Sequence, residues 1–222
     1  MPGKRVAFIH TVTTLPVVFK GLVTELAPQI DMYHVVDESL LQNTIRNGEL
    51  SKTTIYRLVT YLMLAQQAGA DAAMVTCSSI GAAAEIARSM VSIPVLRVDE
   101  PMAEKALAGG SRIGVAATVR TTLTPTVSLI ERKASAAGKN VRVISKLCEG
   151  AFDAFIAGDT AKHDALVKTG LLELIPQVDV IVLAQASMAR IVESLSESDR
   201  LLPILSSPRL AVEHLARTLA PR

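Results

Sequence analysis

Short runs of consecutive apolar residues alternate along this chain with longer segments whose apolar positions recur at helical spacing. The apolar runs predict strands at Arg5–His10, Met32–Val36, Ala72–Thr76 and Val95–Val98, then at Arg112–Ala117, Val141–Ser145, Asp179–Ala184 and Ile204–Ser206. Between them lie helix-length stretches. In residues 51–68, for instance, Ile55, Leu58, Val59, Leu62 and Ala65 fall on one helical face. Strands without an alternating polar face, each followed by a helix, predict parallel sheets covered on both sides and joined by right-handed crossovers.

The second half of the pattern repeats the first. Arg5-Val6-Ala7-Phe8 corresponds to Arg112-Ile113-Gly114-Val115, and Gly69–Val75 to Gln177–Leu183. Ile93-Pro94-Val95-Leu96 corresponds to Leu202-Pro203-Ile204-Leu205. Three blocks in the same order at a nearly constant offset predict an α/β chain of two pseudo-symmetric, doubly wound domains. The first is expected over residues 1–102, with 207–222 packing back on it, and the second over 103–206. The boundary falls near Pro101–Gly110. Two such domains are expected to face an interdomain cleft at the carboxyl ends of their strands, where ligands of open α/β sheets bind.

Composition narrows the partners. Half of the 222 residues are hydrophobic, yet there are four Phe, three Tyr and no Trp, so the core is aliphatic. The net charge of +2 comes from 23 basic and 21 acidic residues with the signs interspersed. No basic stripe or aromatic stacking platform is present, so nucleic acid is not an expected partner. The apolar run near the start is too short for a signal peptide, and no stretch approaches the roughly 20 apolar residues of a membrane span. The expectation is a cytoplasmic protein without membrane contact, and the aliphatic composition suits a homo-oligomer. Two cysteines, Cys77 and Cys148, do not make a disulfide scaffold. His163 and Asp164 form a weak candidate pair for a metal, but no Cys/His cluster has metal-ligand spacing, so no metal is expected.

The residues to weigh are therefore those just after each strand. His10 and Thr11 follow the first; His10 reads equally as an acid, a base, a carboxylate binder or a capping residue. Thr76-Cys77-Ser78-Ser79 follows the third and leads into a helix-forming run, Ala82–Arg88. A helix start offers free N–H groups and a partial positive charge, both of which favour a thiolate at Cys77. Ser78 and Ser79 suit capping or a ligand carboxylate. In the second half Thr118, Thr121 and Thr122 form another hydroxyl-rich turn suited to an anion or to ordinary capping. Gln185, with Cys77 a candidate catalytic residue, stands where the repeat places Cys77, and Ser187, like Thr11 a candidate substrate-binding residue, stands where it places Ser79. A glutamine there exchanges hydrogen bonds but carries no titrating proton. Cys148 follows a strand and reads equally as lining the cleft or as a packing residue. His34 and His214 show nothing that singles them out.

The Thr76-Cys77-Ser78-Ser79 turn, the Ala117-Thr118-Val119-Arg120-Thr121 turn and the duplicated halves resemble the aspartate/glutamate/hydantoin racemase superfamily. The resemblance implies a two-domain fold without cofactor, acting on a small carboxylate substrate. In that family two cysteines face each other across the substrate's α-carbon, one removing a proton and the other delivering one. The first maps onto Cys77. The second maps onto Gln185, and the family's Asp-Ser or Asn-Thr after the first strand maps onto His10-Thr11. The resemblance thus implies an isomerase or racemase with Cys77 as acid and base. Single-cysteine members imply the alternatives: a decarboxylase that protonates one face, or a cis–trans isomerase with a nucleophilic cysteine. A non-enzymatic binder of small carboxylates is the reading of another class.

Overall fold

The computed structural model describes residues 3–197 and 201–220. Residues 1–2 and 221–222, at the ends of the expected first domain, and 198–200, in the expected second, lie outside them. The chain divides into two compact units, Met1–Glu100 with Pro208–Arg222, and Pro101–Ser207.

The first unit is built on four parallel strands, β1 (Arg5–His10), β2 (Asp31–Val36), β3 (Ala72–Val75) and β4 (Val95–Arg97), in the order β2-β1-β3-β4. Its helices are α1 (Leu15–Leu26), α2 (Glu38–Asn47), α3 (Lys52–Gln67), α4 (Gly81–Ala87) and, from the chain's end, most of α10 (Ser207–Thr218). The second unit carries most of α5 (Glu100–Gly109), α6 (Arg120–Ala136), α7 (Ala151–Ile156), α8 (Thr160–Leu174) and α9 (Ile191–Ser194). Its strands β5 (Arg112–Ala117), β6 (Arg142–Leu147), β7 (Val180–Leu183) and β8 (Ile204–Ser206) take the order β6-β5-β7-β8. The fold is thus the expected α/β arrangement of two equivalent parallel sheets, each strand within two residues of its expected bounds.

Local chemistry explains the elements. Ser51 caps α3 by accepting from the Thr54 N–H at 3.1 Å, and Leu58, Val59, Leu62 and Ala65 form its buried face. Ile55 is only partly buried, and Thr54 takes the inner position instead. Asp37 caps α2, and Gly48 ends it at φ 72°, a left-handed conformation that suits glycine. Glu100-Pro101-Met102 forms the first turn of α5, with Pro101 and Met102 buried.

The repeat extends to side chains. In each unit an aspartate before the third strand holds the start of the first: Asp71 accepts from the Arg5 N–H and Asp179 from the Arg112 N–H, both at 2.8 Å. β1 and β5 are buried over their last five residues in the same pattern. β1 meets β3 through Ile9↔Val75, and β5 meets β7 through Ala116↔Leu183. These registers place Thr11 and Cys77 of the first unit in the positions of Thr118 and Gln185 of the second.

Candidate active site

In the first unit the polypeptide leaves β3 through Thr76 and Cys77 and enters a 3-10 turn, Ser78–Ile80, that leads into α4. Cys77 keeps an extended backbone, φ −129° and ψ 118°, so its side chain stands at the carboxyl edge of the sheet. The residue is partly exposed. Its sulfur is flanked by the Thr11 hydroxyl, the Ser79 N–H and hydroxyl, and the Ile80 N–H, all of which favour the thiolate. Burial opposes them and wins, so the thiol is pushed above its ordinary range. The donors expected at this turn are therefore present and favour the thiolate, while burial favours the thiol. Thr11, Ser78 and Ser79 are buried beside Cys77, and Thr11 Oγ1 is buried with no other hydrogen-bond partner among the described residues.

His10 lies in the interior of the first unit. It is fully buried, with Nδ1 2.8 Å from Thr76 Oγ1 and Nε2 2.9 Å from Nδ1 of His34. Its ring packs among Phe8, Phe19 and His34. Burial, reinforced by His34, drives its pKa down to about 3, so it is neutral near pH 7. Both ring nitrogens are thus engaged inside the protein, an arrangement that suits a structural role better than the acid, base or carboxylate-binding ones. His34, which nothing in the sequence singles out, and Thr76 are the residues that sequence reasoning missed. The signal lies in strand parity. Phe8 and His10 share a face of β1, and Phe8 lies opposite His34 in the β1–β2 register.

Beneath the turn, Arg97 at the end of β4 is buried and holds Asp99 through two hydrogen bonds, at 2.9 Å from Nε and 2.7 Å from Nη2. A further bond from Arg97 reaches Glu85 of α4. Gly81 opens α4 against the guanidinium; a Cβ there would lie 2.7 Å from Arg97 Nε. The ion pair thus supports the helix onto which the Cys77 turn leads.

The second unit repeats the backbone with other chemistry. Gln185 has φ −134° and ψ 138° and precedes a 3-10 turn, Ala186–Met188. Its Oε1 accepts from the Thr118 N–H at 2.6 Å and the Thr118 hydroxyl at 2.9 Å. The Thr118 hydroxyl, expected to serve an anion, is committed to Gln185 in this structure. Thr121 Oγ1 is buried without a partner among the described residues, Thr122 is buried in the first turns of α6, and Ser187 is partly exposed.

Cys148 stands apart from Gln185 in kind. It is buried among Ala116, Val167, Leu171 and Ile181, and burial pushes its thiol up to about 11. Gly170 of α8 makes room for it: a Cβ there would lie 2.6 Å from the sulfur. Of its two readings the structure supports packing. His163 is fully buried, with Nδ1 2.8 Å from Asp164 Oδ1, and Arg190 holds the same oxygen at 2.7 Å. His163 and Asp164 therefore serve each other, and among the described residues no group of three His, Cys, Asp or Glu is placed to hold a metal ion. Nor is any described helix long and apolar enough to cross a membrane.

The chain as a whole has counterparts among known proteins. No curated protein matches the chain in sequence. Among solved structures it is similar to a glutamate racemase of Bacillus anthracis, at 22% identity and a TM-score of 0.76 over 99% of this chain and 82% of the other. It is also similar to a Francisella tularensis glutamate racemase in complex with D-glutamate, at 18% identity and a TM-score of 0.73 over 99% and 81%. An allantoin racemase of Klebsiella pneumoniae follows at 15% identity and a TM-score of 0.70, over 99% and 91%. At such identities the likeness establishes the fold. A family model, Asp/Glu/Hydantoin racemase, matches residues 11–215, nearly the whole chain, and the chain therefore belongs to the Asp/Glu/hydantoin racemase family.

Proposed function

We propose that the protein is an isomerase that works without a cofactor at the carbon next to a carboxylate of a small acid, with Cys77 as its proton-transfer group. The observation that carries this reading is the ring of donors about the Cys77 sulfur, Thr11, Ser79 and Ile80, at the end of the first unit's central strands. Such donors stabilise negative charge, whether on the sulfur or on a substrate oxygen that replaces it as acceptor. The thiolate takes the α-proton to give an enolate and a neutral thiol; the thiol returns a proton to the same carbon. Because the thiol rests protonated, the donor half of this cycle is the one for which the free protein is prepared. The turns carrying Ser78, Ser79, Thr121, Thr122 and Ser187 supply candidate carboxylate-binding groups. The D-glutamate bound by the Francisella relative is a ligand of the same class.

A second reading is favoured by one observation. Gln185, in the position of the family's second thiol, does not titrate and is spent on Thr118, and Cys148 is buried. With Cys77 alone, protons enter one face, which suits a decarboxylase or another lyase. Incubation in heavy water with aspartate, glutamate and hydantoin-type acids separates the readings. Deuterium in both enantiomers indicates racemisation with a second base elsewhere. Deuterium in one configuration indicates one-sided chemistry, and Gln185→Cys should then add or increase inversion. Binding without exchange or turnover, unchanged in Cys77→Ser, would sink both and leave a carboxylate-binding protein.

A further inference from the structure

A hydrogen-bonded chain runs behind the reactive turn of the first unit and has no counterpart in the second. The Thr76 hydroxyl donates to the Ile9 carbonyl at 3.0 Å. With its one proton so committed, Thr76 Oγ1 accepts from the His10 Nδ1–H, and His10 Nε2 accepts from the His34 Nδ1–H. This chain is no proton wire to the thiol, because it ends on a backbone carbonyl. It is a cross-tie, made beyond the last ladder pair of β1 and β3, Ile9↔Val75.

Its place is what matters. His10 immediately precedes Thr11, and Thr76 immediately precedes Cys77. One tie therefore fixes both residues at once, from one position behind. In the second unit the corresponding residues are Ala117 and Ala184, which cannot form such a tie, and Ser145 stands in the register position of His34. Both units share one backbone bond at this point, Thr76 N–H to the Ile9 carbonyl and Ala184 N–H to the Ala116 carbonyl, but in the second the side-chain tie is made by the site residues themselves, Gln185 to Thr118. We infer that His10, oriented by His34, and Thr76 are positioning residues that take over the strand-end tie, leaving Cys77 and the otherwise unpartnered Thr11 hydroxyl free for the substrate.

The inference rests on Cys77 being the reacting group, but it is testable without a substrate. In a Cys148→Ser background, the pH profile of Cys77 alkylation by iodoacetamide reports how the turn holds the thiol. Thr76→Val removes one hydroxyl at nearly constant shape. It should let water reach the sulfur and weaken the burial that raises its pKa. Alkylation at pH 8 should then be about three- to tenfold faster, with the midpoint shifted toward ordinary thiols. His10→Ala should do the same, whereas Thr76→Ser and His10→Asn, which keep the tie's donor or acceptor, should restore the parent profile. Phe19→Leu loosens the packing on the His10 ring without touching the tie and should leave the profile unchanged. A parent-like profile in Thr76→Val, or an equal shift in Phe19→Leu, would overturn the inference. If His10→Ala does not fold, the Thr76→Val and Thr76→Ser pair decides alone. Where a substrate is found, Thr76→Val should lower kcat more than it raises KM. Full turnover by Cys77→Ser would instead defeat the functional reading and leave the labelling result standing.

Discussion

The turns after β3 and β7 have nearly the same backbone, an extended residue followed by a 3-10 turn, in sheets of the same order and register. They differ in what their side chains are committed to. At the first, Cys77 and Thr11 keep polar atoms without a fixed structural duty. At the second, the Thr118 N–H and hydroxyl are both committed to Gln185 Oε1. A duplicated scaffold thus determines where a strand-end residue stands, but not whether it is free to act. That freedom is set by the residue one step behind, His10 and Thr76 in one unit and two alanines in the other.

The largest expected effect tests whether the two turns are unequal in chemistry. Cys77→Ser should reduce turnover by about 10² to 10⁴, the range for removing an acid–base group. Gln185→Ala removes a neutral amide, whose Oε1 accepts two hydrogen bonds and which carries no titrating proton, and should cost about tenfold or less in turnover, with a stability loss of about 1–3 kcal/mol. Steady-state kinetics on the same substrate, with calorimetry of each variant, make the comparison. Equal losses in turnover would mean that both turns carry chemistry.

A second asymmetry concerns support. Arg97 and Asp99 form a buried ion pair below the Cys77 turn, while Ser206 occupies the register position of Arg97 in the second unit. Asp99→Ala should destabilise the protein by about 3–5 kcal/mol, because it leaves a buried guanidinium without the two hydrogen bonds that Asp99 accepts. Ser206→Ala should change stability by less than about 1 kcal/mol. Denaturant unfolding followed by circular dichroism measures both. A small effect of Asp99→Ala would show that Glu85 and solvent satisfy Arg97 unaided.

How much of this was legible beforehand follows from the range of each interaction. The strands could be read because full burial leaves unbroken apolar runs, and the repeat because both units keep the same strand and turn residues. Cys77 could be placed because a residue directly after a predicted strand lies at the sheet's edge. His10 could not be assigned, since its role depends on Thr76 and His34, which only strand pairing brings to it. The balance that sets the thiol's protonation was hidden for a related reason. Sequence displays the N–H donors of the turn but not the burial that outweighs them. The two readings of Cys148 could not be separated without knowing that Gly170 of a distant helix packs on it.

Cys148 supplies the smallest expected effect, and it tests the comparison from the other side, since it is the second unit's own thiol. Its surroundings are apolar and close-packed, and its thiol is pushed up to about 11. At pH 8 it is therefore almost wholly protonated and screened from reagents, whereas Cys77 keeps some exposure. Because the thiolate is the species that reacts, alkylation of the native protein at pH 8 should modify Cys77 first, and Cys148 at a comparable rate only after unfolding. Both rates should still be rising above pH 9, as both thiols titrate above their ordinary range. Cys148→Ser should leave turnover within about twofold, while placing a hydroxyl in an apolar site costs about 1–3 kcal/mol of stability. Mass spectrometry of the labelled peptides, with kinetics of the variant, checks both statements. A loss of turnover as large as that of Cys77→Ser, in a variant that remains folded, would show that the second unit carries a working thiol after all. The contrast between a free turn and a committed one would then fail.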